Sequence, residues 1–119
     1  MNKDKKKKEE AKKQAILGLK IARYALSENV ELTIKSLREN ADKAGCSLEQ
    51  IGTREQELEA LLVAGYKNEA LEISSRWRKE GFVKKPKDSV GYLRRCIANA
   101  GCIPEDFGLT EELLRKICV

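Results

Sequence analysis

The chain has 119 residues, of which 41% are hydrophobic and 36% are charged, and its formal net charge is +5. This length suits one domain with a modest core, and no apolar run approaches the roughly 18 residues that a membrane-spanning helix needs. The N-terminal run MNKDKKKKEEAKK lacks the cleavage site of a signal peptide. We therefore expect a cytoplasmic protein with no membrane partner.

The first elements in chain order are a lysine-rich leader and two helices. The leader, residues 1–13, contains good helix formers and either extends the first helix or stays disordered. From residue 14 to residue 119 we expect a single helical domain. The first helix is predicted from one apolar stripe: Ala15, Leu19, Ala22 and Leu26. The second is predicted between a cap at Asn29 and a stop at Gly45, with its stripe at Val30, Ile34, Leu37, Ala41 and Ala44.

The middle of the chain predicts a helix-turn-helix pair. Residues 54–64 and 67–80 both have helical periodicity, and Gly65-Tyr66 reads as the turn between them. Trp77 falls on the apolar side of the second helix, so we expect it in the core. Gly81 ends this helix, and the basic loop KKPKD follows, in which Pro86 disfavours helix.

The last third predicts two further helices. Asp88 or Ser89 can cap the first of them, Pro104 can begin a short turn, and Thr110 can cap the second. The fold class is therefore all-α, a compact bundle of five or six short helices with a helix-turn-helix-like pair and a basic loop.

The residue types argue against catalysis and against bound cofactors or metals. The chain has no His, no glycine-rich phosphate loop and no C-x-x-C pair among its four cysteines. Its carboxylates in the middle of the chain, Glu69 among them, fall on faces predicted to be exposed to solvent. We predict that the protein is not an enzyme, that its cysteines are small buried residues and that it needs no cofactor.

Charge is distributed unevenly along the chain. Residues 76–95 contain eight Lys or Arg residues and two acids, whereas residues 28–72 contain five bases and ten acids. Lysines also crowd the leader. A basic surface of this kind can neutralise phosphates and release counterions.

These charges predict a nucleic-acid-binding surface, with DNA favoured over RNA. Bases at the end of a helix and in the next loop suit phosphate contact or shape recognition better than sequence readout. Tyr92 either stacks on a base or packs at a helix start. The candidate contacts are Arg76, Arg78, Lys79, Lys84, Lys85, Lys87, Tyr92, Arg94 and Arg95, with Lys5, Lys6, Lys7 and Lys8 of the leader as an additional arm.

Two runs also resemble a known family. L-E-A-L-L-V-A-G-Y-K-N-E-A-L-E-I and G-F-V-K-K-P-K-D-S-V-G-Y-L-R-R-C-I resemble the helical C-terminal segment of bacterial plasmid and phage replication proteins, including DnaD-like ones. The resemblance covers about residues 57–98, and Lys85 stands where the family has Asn before Pro86. It implies a DNA-associated accessory protein of a mobile or replicating element, with Tyr92 close to DNA.

Two other interpretations of the sequence are open. In the first, the acidic segment 28–72 and the basic segment 76–95 are complementary surfaces of a protein–protein interaction module or a homo-oligomer. In the second, all four cysteines hold a metal ion or an iron–sulfur cluster, although their spacing does not match the common zinc motifs.

Overall fold

The computed structural model describes residues 2–24 and 29–119 and confirms the all-α prediction. Within these residues there is no strand. The five α-helices are α1 (Asn2–Tyr24), α2 (Val30–Ala44), α3 (Glu55–Lys79), α4 (Lys87–Asn99) and α5 (Glu111–Ile117), and two 3-10 turns cover Glu49–Ile51 and Pro104–Phe107. None of these helices combines the length and the apolar content that a bilayer crossing requires. Two of the five, α1 and α3, are longer than the short helices we predicted.

The chain groups into two units, Met1–Gly65 and Tyr66–Val119, and α3 contributes to both. The prediction of a single domain over residues 14–119 stays a prediction. The leader belongs to α1, because that helix already begins at Asn2.

In the first unit, α1 packs on α2 through the predicted stripes. The α1 residues Ala15, Leu19 and Ala22 are buried, whereas Leu26 lies outside the described residues. The buried residues of α2 are Val30, Ile34, Leu37 and Ala41.

Both predicted ends of α2 are confirmed. The side chain of Asn29 accepts a hydrogen bond from the Leu32 amide at 3.1 Å, which satisfies a donor that the helix leaves free. After the last turn, Gly45 adopts a left-handed conformation with φ of 67°, a region that glycine enters without steric cost.

The predicted helix-turn-helix pair is wrong, because α3 is continuous from Glu55 to Lys79 through Gly65 and Tyr66. A glycine inside a helix costs only about 1 kcal/mol relative to alanine, and burial of the helix can outweigh that cost. Gly65 is there for packing. A Cβ atom at this position would lie 2.6 Å from three side-chain atoms of Val30, so only glycine lets α2 approach so closely.

The second unit builds its core from α4, α5 and the C-terminal half of α3. Its buried apolar residues include Ala70, Trp77, Val90, Leu93, Ile97, Phe107, Leu109, Leu114 and Ile117. The burial of Trp77 and the cap at Thr110, which accepts from the Leu113 amide at 3.1 Å, confirm two predictions.

The start of α4 differs from the prediction. The helix begins at Lys87 with Pro86 as its N-cap, and the carbonyl of Pro86 accepts from the Ser89 and Val90 amides. Asp88 therefore lies in the first turn, where its negative charge suits the positive end of the helix dipole.

Candidate nucleic-acid interface

The fold gives the eight bases of residues 76–95 different environments. Arg76, Lys79 and Lys87 are exposed and make no hydrogen bond or ion pair with any residue that the structure describes. Arg78 donates to the carbonyl oxygen of Phe107 at 2.8 Å, and Lys84 donates to that of Lys116 at 2.6 Å. A carbonyl does not neutralise a charge, so both of these bases remain electrostatically attractive to phosphate.

Among these eight bases, Lys85 makes an ion pair, a cation–π contact and a backbone hydrogen bond. Its ammonium pairs with Glu80 and lies 5.6 Å from the centre of the Trp77 ring. Its side chain is only 16% exposed, and its amide donates to the Ile117 carbonyl at 2.7 Å. Lys85 therefore stabilises the loop between α3 and α4 and has little charge to offer a ligand.

One groove of the second unit brings four predicted contacts together. We call it the basic groove and define it by Lys87, Gly91, Tyr92, Arg94, Arg95 and Cys118, which line it together with Asp88 and Val90. Seven of these eight residues come from α4, because positions three, four and seven residues apart share a helix face. The sequence predicted the bases and the aromatic ring, and the structure supplies their shared surface.

The bases of the basic groove differ in how much charge they present. Arg94 forms an ion pair with Glu111 at 2.5 Å, which offsets its charge. The Arg95 guanidinium lies 5.4 Å from the centre of the Tyr92 ring, a cation–π arrangement. Lys87 and Arg95 are the two exposed bases of this groove.

Gly91 leaves the middle of the groove open. It lies inside α4, and a Cβ atom added to it would meet no other atom within 4 Å. Packing therefore does not require glycine here, although glycine weakens the helix. The helix backbone between Lys87 and Arg95 therefore has open space in front of it.

A second groove lies beside the C-terminal half of α3. It is lined by Arg76, Arg78 and Lys79 on one side and by Asp106, Phe107 and Gly108 on the other. Asp106 also accepts a hydrogen bond from the Ile103 amide at 3.0 Å, which keeps a carboxylate in this groove. Two carboxylates, Glu72 and Asp106, line this groove with three bases, whereas the lining of the basic groove has three bases and the single carboxylate of Asp88. This groove therefore attracts anions less strongly than the basic groove.

The leader lysines lie on a helix. Lys5, Lys6, Lys7 and Lys8 are all exposed in the first two turns of α1. Consecutive residues point about 100° apart around a helix, so these four charges surround α1 and do not form one surface.

Tyr92 has a fixed position in the basic groove. Its hydroxyl donates to Oε2 of Glu69, and the Cys96 thiol lies 3.4 Å from the same oxygen. Burial, followed by the hydrogen bond to Glu69, raises the pKa of Tyr92, so the phenol stays protonated at neutral pH. Tyr92 is the sixth residue of α4 and is half-buried, so base stacking by its ring stays a prediction.

Glu69 is the residue whose position we predicted wrongly. Its side chain is buried with 6% exposure, and its Oε1 atom has no hydrogen-bond partner among the described residues. A continuous α3 places Glu69 four residues after Gly65 and four before Ile73, which is the inner face of the helix. Because we predicted a turn at Gly65-Tyr66, we did not expect Glu69 on the same helix face as Gly65.

The environment of Cys96 disfavours its thiolate form. Burial raises the pKa of the Cys96 thiol to about 11, so it is not the thiolate that nucleophilic attack or metal binding requires. All four cysteines are free thiols, and no three Cys, Asp or Glu residues of the described chain are grouped as metal ligands would be.

No protein-family model matches the chain, and neither a curated protein nor a solved structure matches it.

Proposed function

We propose that this chain is a non-catalytic nucleic-acid-binding protein that contacts phosphates through the basic groove, with DNA favoured over RNA. The observation that carries the proposal is the presence of Lys87, Arg95 and Tyr92 in one groove of the second unit. Arg76 and Lys79, which have no partner among the described residues, supply further contacts from α3. The cytoplasm is the expected compartment, because all four cysteines are free thiols.

The chemistry of binding is neutralisation of phosphate charge. Each Lys or Arg that contacts a phosphate releases a condensed counterion, so affinity falls steeply as salt rises. Arg95 can donate to phosphate while its guanidinium stays over the Tyr92 ring, because a guanidinium has five N–H donors. Phosphate contacts fix the position of a protein on the nucleic acid and do not read its sequence.

We expect a Lys87→Gln/Arg95→Gln double variant to bind a labelled DNA duplex about tenfold more weakly than the parent. Loss of two phosphate contacts should also reduce the slope of log affinity against log salt by about two. Fluorescence anisotropy over a salt series measures both quantities.

The matched control is a Lys35→Gln/Arg54→Gln double variant. It removes the same net charge from exposed residues of the first unit whose side chains have no hydrogen-bond or ion-pair partner among the described residues. If the control weakens binding as much as the groove variant does, net charge alone causes the attraction and the groove is not the site. If the parent protein does not bind duplex DNA, single-stranded DNA or RNA at about 0.15 M salt, the proposal itself is wrong.

We expect Glu111→Gln to tighten binding about threefold, since exposed ion pairs contribute at most about 1 kcal/mol. The substitution removes the partner of Arg94 and so returns one cation to the basic groove. Glu112→Gln is the control, because this neighbouring residue is also exposed but forms no ion pair within the described chain. Equal effects of the two substitutions in the same anisotropy assay would show that Arg94 does not contribute.

The resemblance to replication proteins extends the proposal to an accessory role on a mobile or replicating element. The alternative function, a protein–protein interaction module, makes a different prediction. The purified protein would then self-associate without nucleic acid and dissociate as salt rises, which sedimentation velocity detects.

A further inference from the structure

The outward face of α1 carries a second line of positive charge, in the first unit. Lys6, Lys13 and Lys20 are each seven residues apart, and seven residues make almost two helical turns. Their Cα atoms therefore lie nearly in line, at intervals of about 10.5 Å. All three are exposed.

This line of lysines lies opposite the buried side of α1. Residues two positions apart point about 200° apart around a helix, and Lys13 is two positions from both Ala11 and Ala15, which are buried. Lys20 is likewise two positions from the buried Ala22. The face therefore points away from the core of its own unit.

An aromatic ring ends this face. Tyr24 is 79% exposed, lies four residues after Lys20, and makes no hydrogen bond or ring contact with a described residue. Leu17 lies between Lys13 and Tyr24 and is 48% exposed. Neither the three lysines nor Tyr24 has a hydrogen bond or ion pair within the described chain. We call these five residues the lysine–tyrosine face.

We infer that the lysine–tyrosine face binds an unpaired nucleic-acid strand, with phosphates on the lysines and a base stacked on Tyr24. The inference rests on the proposed function and adds to it a second surface, separate in sequence from the basic groove. Proteins that bind single strands combine basic tracks with aromatic rings, because every base has a face that can stack.

The dimensions of the face suit a strand. At the spacing of one strand in duplex DNA, about 3.4 Å per nucleotide, the interval between neighbouring lysines corresponds to about three stacked nucleotides. From Lys6 to Tyr24 the face is about 27 Å long, which corresponds to about eight nucleotides. An anionic bilayer surface would need a continuous apolar strip, whereas here Lys20 separates Leu17 from Tyr24.

The test compares a labelled single strand of about 20 nucleotides with its duplex, using the full chain. Tyr24→Ala should weaken binding of the single strand about tenfold, because loss of one stacking ring has roughly that effect. Tyr24→Phe keeps the ring and should bind as the parent does. Duplex affinity should change less than twofold, since paired bases cannot stack on Tyr24.

The lysines are tested with a matched pair of triple variants. Lys6→Gln/Lys13→Gln/Lys20→Gln should lower the salt slope for the single strand by about two. The control Lys5→Gln/Lys7→Gln/Lys12→Gln removes the same charge from other faces of α1, all exposed, and should have a smaller effect. Circular dichroism verifies that both triples keep the helix.

Three results would overturn the inference. In the first, the Lys87→Gln/Arg95→Gln variant weakens both probes while all α1 variants bind as the parent does, which leaves the proposed function intact. In the second, the two triples have equal effects and Tyr24→Ala has none. In the third, the α1 variants lose binding to phosphatidylserine-containing vesicles but not to the single strand. A parent protein that binds neither probe overturns the inference and the proposed function together.

Discussion

Tyr92→Phe is expected to lower the free energy of unfolding by about 2–3 kcal/mol, although it removes only one oxygen atom. That oxygen donates to the buried carboxyl of Glu69, whose other oxygen has no partner among the described residues. Without the Tyr92 hydroxyl, only the weak thiol donor of Cys96 remains near the carboxyl. A buried acceptor that loses its donor costs more than the average hydrogen bond contributes. Urea-induced unfolding measures the change.

A double-mutant cycle separates this effect from ordinary loss of packing. Replacing both partners, as Glu69→Leu/Tyr92→Phe, should restore stability to within about 1 kcal/mol of the parent, because no buried polar atom is then left alone. Tyr24→Phe is the control, since it removes the hydroxyl of an exposed tyrosine and should be neutral. A Tyr92→Phe variant as stable as the parent would show that the hydroxyl does not satisfy Glu69.

Gly65→Ala is expected to destabilise the protein by about 2 kcal/mol, whereas Gly91→Ala should stabilise it by about 0.5–1 kcal/mol. At Gly65 the new Cβ would lie 2.6 Å from Cβ and both Cγ atoms of Val30. Rotation of the valine cannot move its own Cβ, so the backbones of α2 and α3 must separate. At Gly91 the new methyl group meets open space and the helix gains propensity alone.

Thermal unfolding of the two variants beside the parent tests this pair. Both substitutions make the same chemical change inside a helix, so each is the control for the other. A rise in melting temperature for Gly65→Ala would contradict the close approach of α2 to α3. A fall for Gly91→Ala would show that an unrecognised contact needs the glycine.

The local signals in the sequence predicted both caps of α2 and the N-cap of α5. Asn29 and Thr110 cap helices because their side-chain oxygens accept amide hydrogens three residues later, a bond that depends only on neighbouring residues. Gly65 shows the limit of such reasoning. Its role depends on Val30, which is distant in sequence. The sequence pattern of a glycine between two apolar runs is the same whether the glycine ends a helix or allows a second helix to pack closely.

The candidate site was predicted as a set of residues but not as a surface. Composition identifies the bases of residues 76–95 but not their contacts. It cannot show that Lys85 pairs with Glu80 and lies over the Trp77 ring, whereas the Lys87 side chain has no partner within the described chain. Those assignments come from tertiary contacts. Glu69 was misplaced for a related reason, since its burial follows only once α3 is known to be continuous.

The contacts of the loop between α3 and α4 affect the order in which the second unit folds. Lys84 and the Lys116 carbonyl that it contacts are 32 residues apart, and Lys85 forms an isolated parallel bridge with Cys118. Such pairings have high contact order, so the entropy of closing a long loop opposes them and they form after the local helices. Because Cys118 also lines the basic groove, that groove is completed only when the last residues dock. Helix formation alone therefore does not complete the basic groove.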